Sequence, residues 1–179
     1  MDRADAVFER LSPYPGMGFR NHCFRLFEFT RQLLEASHLP FDRDTAYAIA
    51  MVHDLGLVGE APGENYLLRS LAIFEDTFRD VPVPASREVI NECLLLNHRL
   101  LPVPNATPEA EAFRQAVWIE HSRGLKRYGL SKSAVDEVFE LYPRDNLDSV
   151  LFDFFVRTLR KEPTTIWNGI FLGPGPAHP

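Results

Sequence analysis

The sequence predicts an all-α single domain, an irregular bundle of about seven or eight helices, on three observations. Apolar residues recur at intervals of three and four, as in Cys23, Phe27, Thr30 and Leu34 or Leu67, Leu71, Phe74 and Phe78, the spacing that gathers side chains on one face of a helix. No alternating apolar and polar run is long enough to call for a sheet. Prolines and glycines punctuate the chain heavily, removing backbone donors and biasing the residues before them away from the α region. At 179 residues, 45% hydrophobic and 25% charged, the chain can bury roughly two-thirds of its unfolded surface around one core. With no internal repeat and no dividing linker, the expectation is one domain over residues 1–172 and a loose Gly/Pro tail over 173–179.

A short first helix is expected over residues 3–11, ended by Ser12-Pro13-Tyr14-Pro15-Gly16. The second covers 19–37. The third starts near Asp42 or Asp44, either able to cap it, and is stopped by Gly56 just after His53 and Asp54. A fourth spans 65–79, closed by Val81-Pro82-Val83-Pro84, and a fifth runs over 86–100 before Pro102 and Pro104. Thr107-Pro108-Glu109 reads as a helix start, with a capping hydroxyl, proline at the first position and an early acid that suits the helix dipole. That sixth helix carries Phe113 to His121 and ends by Gly124. Ser131 caps a seventh reaching Leu141, and an eighth over 147–160 has an apolar face of Leu151, Phe154, Phe155 and Leu159.

A formal net charge of -6 argues against binding polymeric nucleic acid, which selects for a surplus of Lys and Arg. The positive charge is almost wholly Arg, a residue suited to bidentate contact with carboxylate or phosphate, although a compositional habit of the genome gives the same bias. Cys23 and Cys93 lie far apart and form no Cys-x-x-Cys pair, which removes a disulfide framework and a thiolate zinc site. No apolar signal core and no stretch near the roughly 20 apolar residues of a membrane span is present. A soluble cytoplasmic protein with no membrane partner is the expectation.

His53-Asp54 is the most informative dipeptide. It ends the apolar segment Ala46-Tyr47-Ala48-Ile49-Ala50-Met51-Val52, where the partial negative charge of a helix C-terminus disfavours a carboxylate unless a cation sits opposite. A divalent metal would supply that cation, and imidazole is its commonest side-chain ligand. A solvated Asp54 and a His53 that caps a helix carbonyl are the plain alternative. His22 lies one helix upstream, and a helical hairpin can bring it to His53 if the site lies at the ends far from the connection. Arg25, one turn from His22, would find an oxyanion held there.

In its Asn21-His22-x-x-Arg25 and His53-Asp54-Leu55-Gly56-Leu57 elements the chain resembles the HD-domain superfamily, helical metal-dependent hydrolases. The resemblance covers roughly residues 19–160 and is nearest to the compact bacterial branch that includes cyanamide-hydratase-like proteins. It implies a divalent transition metal held by His22, His53, Asp54 and a distant acid, with His98 as a further ligand in some members. The family's distant Asp is not matched. Glu120, in Ala116-Val117-Trp118-Ile119-Glu120-His121, stands nearest the expected place; another register puts Val117 there and leaves three protein ligands, and His121 is a further substitute. Imidazole and carboxylate ligands admit Mn, Fe, Co, Ni or Zn. The expected function is hydrolysis of a small, anionic, phosphorylated or nucleotide-like substrate by a metal-activated water. Asp54, Glu60 or Glu64 would orient the water and Arg25 would hold the anion, with Arg99 a solvated neighbour. A hydratase or iron-dependent oxygenase at the same site, or a non-catalytic binding module, are the alternatives.

Overall fold

The computed structural model describes residues 2–40 and 42–167, so the tail expected over 173–179 lies outside the described residues. Among these residues the chain is all-helical: α1 Asp2–Leu11, α2 Gly18–Ala36, α3 Arg43–Val52, a 3-10 turn Leu55–Leu57, α4 Tyr66–Thr77, α5 Arg87–Leu96, α6 Pro108–His121, α7 Lys132–Leu141, α8 Leu147–Lys161 and α9 Pro163–Trp167. None of the described helices is long and apolar enough to cross a membrane. Capping fixes most starts. Asp42, rather than Asp44, caps α3 by accepting from Thr45 N at 2.7 Å, and Asn65, Ser86, Thr107 and Ser131 cap α4, α5, α6 and α7 in the same way.

Helix α2 is the centre of the bundle and packs on α3, α6, α7 and α8. Its predicted stripe is buried throughout, with Cys23, Phe27, Thr30 and Leu34 each at most 5% exposed; burying a Phe or Leu of this kind contributes roughly 1.5–3 kcal/mol. An aromatic cluster ties α1, α2 and α8 together: Phe19 lies 4.9 Å from Phe8 and 5.2 Å from Phe154 between ring centroids.

The structure corrects four expectations. Helix α5 ends at Leu96, so His98 sits in the following turn. The short helix α9, which begins on Pro163, was not anticipated. The buried face of α8 is Leu147, Val150 and Phe154, whereas Phe155 and Leu159 are half exposed. Gly56 does not end α3, which stops at Val52. It sits inside the 3-10 turn, where an added Cβ would lie 2.0 Å from Tyr66 O and 2.6 Å from Ser70 N. Its N–H donates to Ser70 Oγ at 2.9 Å and its carbonyl accepts from Arg69 Nε at 2.9 Å. The turn that carries Asp54 is thus clamped onto α4. Gly56→Ala is expected to lower the unfolding free energy by at least about 2 kcal/mol, because the obstacle is backbone and not a movable side chain; urea denaturation with far-UV circular dichroism measures this.

Candidate metal centre

His22 is on the buried face of α2, one turn before Leu26. His53 is the C-cap of α3, and Asp54 opens the 3-10 turn. The site therefore lies at the ends of α2 and α3 farthest from their connection. His22 and His53 are 0% exposed and Asp54 2%. Their donor atoms converge: His22 Nε2 is 3.2 Å from His53 Nε2, His53 Nε2 is 3.2 Å from Asp54 Oδ2, and His22 Nε2 is 3.7 Å from Asp54 Oδ2. Ligands about 2.0–2.2 Å from a common ion, at octahedral or tetrahedral angles, stand about 2.9–3.6 Å apart. Two of the three separations fall in that range and the third, His22 to Asp54, is 0.1 Å beyond it, so the group could hold a metal ion with a small side-chain adjustment.

Proton positions point the same way. His53 Nδ1 donates to Ala50 O at 2.8 Å, which leaves the lone pair of a neutral ring on Nε2. His22 Nδ1 lies 3.3 Å from Glu120 Oε2, an ion-pair contact outside hydrogen-bond geometry, and neither atom has a hydrogen-bond partner. A proton on each Nδ1 would turn two lone pairs and the Asp54 carboxylate toward one point, as a metal ion requires. Burial alone would lower the pKa of His22, but Glu120 and Asp54 raise it above its ordinary value, so a proton on His22 is a second way of supplying the positive charge that Asp54 needs. Burial would raise the Asp54 carboxyl, but His53, His22 and His98 together hold it well below the usual carboxylate range.

Glu120 is brought to His22, but to its far side. It approaches Nδ1 while the other donors gather at Nε2, so it is placed to orient the His22 ring and not to join the three donors. Arg25 Nη2 and Arg144 Nη1 both donate to Glu120 Oε1, at 2.9 and 2.5 Å. Burial would raise Glu120, and His22, His121 and Arg25 pull it down, so the carboxylate stays ionised. The anion-holding role expected of Arg25 is replaced: it is 0% exposed, its Nη1 reaches Tyr142 O at 2.6 Å and Pro143 O at 3.1 Å, and its Nε is buried without a partner. Val117, the other register, is 1% exposed in the apolar core and offers no donor.

His98 and His121 form the less buried side. His98 Nε2 is 3.4 Å from Asp54 Oδ1, the oxygen turned away from the other two imidazoles. His121 donates Nδ1–H to Val117 O at 2.9 Å, and its ring centroid is 5.7 Å from that of His98. Desolvation of the ring by its neighbours, with His98 and His22 nearby, pushes His121 down to about 4, although Glu120 opposes this and the residue keeps exposed surface. Glu60 lines a separate surface cavity with Arg10 and Arg87, and Glu64 is exposed. Arg99, expected to be solvated, has Nε and Nη1 shut from water without partners.

Sequence reasoning missed Arg144 and Tyr66. Arg144 lies between α7 and α8; its only trace in the sequence is that a buried Glu120 needs more positive charge than Arg25 supplies. Tyr66 opens α4, is 8% exposed and stands 5.9 Å from His98 between ring centroids. No family model, curated protein or solved structure matches this chain.

Two outcomes are expected. Arg25→Met leaves a buried carboxylate short of one cation and should cost about 3 kcal/mol in urea unfolding, part of which the Arg25→Met/Glu120→Gln double variant regains. Glu120→Gln should weaken metal binding by about 10- to 100-fold without abolishing it, as for a partner that orients a ligating His; competition with a chelator of known affinity reads this.

Proposed function

We propose that the protein is a metal-dependent hydrolase of the HD-domain type, acting on a small phosphorylated or nucleotide-like substrate. The observation that carries this reading is the meeting of His22 Nε2, His53 Nε2 and Asp54 Oδ2 in a buried space, all within 3.7 Å of one another. The donor set fits Mn, Fe, Co, Ni or Zn. A divalent ion supplies Lewis acidity there, lowering the pKa of a water and stabilising negative charge that grows on the substrate. The protein's part is positioning. Ala50 fixes the ring of His53, and Glu120, held by Arg25 and Arg144, fixes that of His22. Asp54 turns Oδ2 inward and Oδ1 to His98, so His98, partly open to solvent, can pass a proton between that oxygen and water.

One observation favours a second reading, hydration or iron-dependent oxygenation of a small neutral molecule. Arg25 is committed to Glu120 and to two carbonyls, and the more open side carries the imidazoles of His98 and His121 instead of a guanidinium. Elemental analysis of the purified protein is expected to find a divalent transition ion, lost in His53→Ala and Asp54→Ala while helical circular dichroism is kept. Phosphate release from a panel of phosphomonoesters and nucleotides should require that ion and fall to background in both variants. Nitrile hydration or oxygen uptake without phosphate release would select the second reading. A metal-free protein that small ligands nonetheless stabilise would mean a binding module.

A further inference from the structure

On its less buried side the metal centre continues outward as a row of rings. His98, at Asp54 Oδ1, is followed by His121 at 5.7 Å and then by Trp118 at 6.1 Å, between ring centroids. The two imidazole side chains keep 17% and 30% of their surface open, so the row reaches the exterior. It ends on Lys126, whose Nζ lies 4.8 Å from the centroid of the Trp118 ring. The backbone builds this end. Helix α6 stops at His121, the chain reverses through Arg123 and Gly124 at positive φ, and Lys126 N donates to Ser122 Oγ at 2.9 Å, which folds the loop back along the last turn of the helix. The indole is fixed in turn, because its Nε1–H donates to Arg99 O at 2.7 Å. From Ser122 to Lys132 the chain has Arg123, Lys126, Arg127 and Lys132 and no acid. Arg123 pairs with Asp148 at 2.9 Å and Lys132 with Asp136 at 2.5 Å. Lys126 is held differently. It is exposed, forms no ion pair among the described residues, and rests on an aromatic face. A ring places an ammonium without neutralising it as a carboxylate would, so its charge stays available to an anion.

We propose that Lys126 is a second anion subsite of the metal centre, and that the substrate carries two negative groups, one bound at the metal and one at the Lys126 ammonium. The inference rests on the reading of the metal centre as the place where substrate binds. Arg25, the cation expected to hold an anion, is committed to Glu120, and Lys126 is a cation that the open side offers in its stead. The acids in contact with the row are Asp54 and Glu120, 2% and 0% exposed, so they stand behind the imidazoles and away from solvent. Both ends of the row therefore favour negative charge, while its rings offer apolar surface to the part of the ligand between them. The rings also keep the two cationic ends apart, which selects two separated charges over one.

Isothermal titration of the full chain loaded with manganese, using hexane-1,6-diphosphonate and hexylphosphonate, tests this. Neither compound has an ester to hydrolyse. The diphosphonate should bind about five- to tenfold more tightly, with about a factor of two of this coming from its two equivalent ends. Lys126→Met should bring the advantage down to about that factor of two. Lys126→Arg, which keeps the charge, should retain most of it, and Lys132→Met, which removes a cation already paired with Asp136, should leave both affinities at the parent values. The proposal is overturned, and the metal-centre reading left standing, if the parent binds the two compounds within about twofold of each other or if Lys126→Met keeps the whole advantage. If neither compound binds, or if hexylphosphonate binds His53→Ala as it binds the parent, that reading falls and the inference with it.

Discussion

The ionised carboxylate of Glu120 in the middle of the bundle is the constraint on which the rest of the structure turns. A charge there is tolerated only when it is surrounded by donors. Arg25 comes from α2, Arg144 from the segment between α7 and α8, and His22 again from α2, so neutralising one acid ties together helices distant in the chain. Arg25 also pins the carbonyls of Tyr142 and Pro143, and Asn21 Nδ2 reaches Pro143 O at 2.9 Å. The corner before α8 is thereby held against the start of α2, and the Nε2 side of His22 is left facing His53 and Asp54.

A second clamp acts on the opposite wall. Asp54 is placed by a turn too tight for a side chain at Gly56, bonded on both sides to α4. Between the two clamps the imidazoles have little freedom, the condition under which a ligand set is organised before its ion arrives. Polar networks of this kind are costly unless every member is satisfied. Here Glu120 Oε1 is served by two guanidinium groups, while Oε2 and the Nε atoms of Arg25 and Arg144 are buried without hydrogen-bond partners, and the group of His22, His53 and Asp54 could hold a cation.

Much of the fold was legible in the sequence because its signals are local. A stripe such as Cys23, Phe27, Thr30 and Leu34 must be buried whichever helix covers it, and Ser86, Thr107 and Ser131 cap the helices that follow them wherever those helices pack. Reading failed where a local signal served two ends. Phe155 and Leu159 look like core on a helical wheel, but α8 turns another face inward, since the bundle offers Phe19 and Tyr14 to Phe154. Gly56 looks like a helix stop and is a point of close backbone approach, a property of two segments together.

The same division runs through the site. The sequence by itself determined the helical class and pointed to the pairing of His22 with His53-Asp54, because imidazoles and a carboxylate are expensive on apolar helices unless they meet a partner; Glu120 was singled out only by the family resemblance, with Val117 and His121 as alternatives. Only the tertiary structure decided which edge of His22 Glu120 would face, that Arg25 would turn to that acid and not to open space, and that Arg144 would join it. Those outcomes depend on the relative rotation of α2 and α6 and on the path of the chain into α8. Such quantities are set by packing across the whole bundle, and no spacing along the chain encodes them.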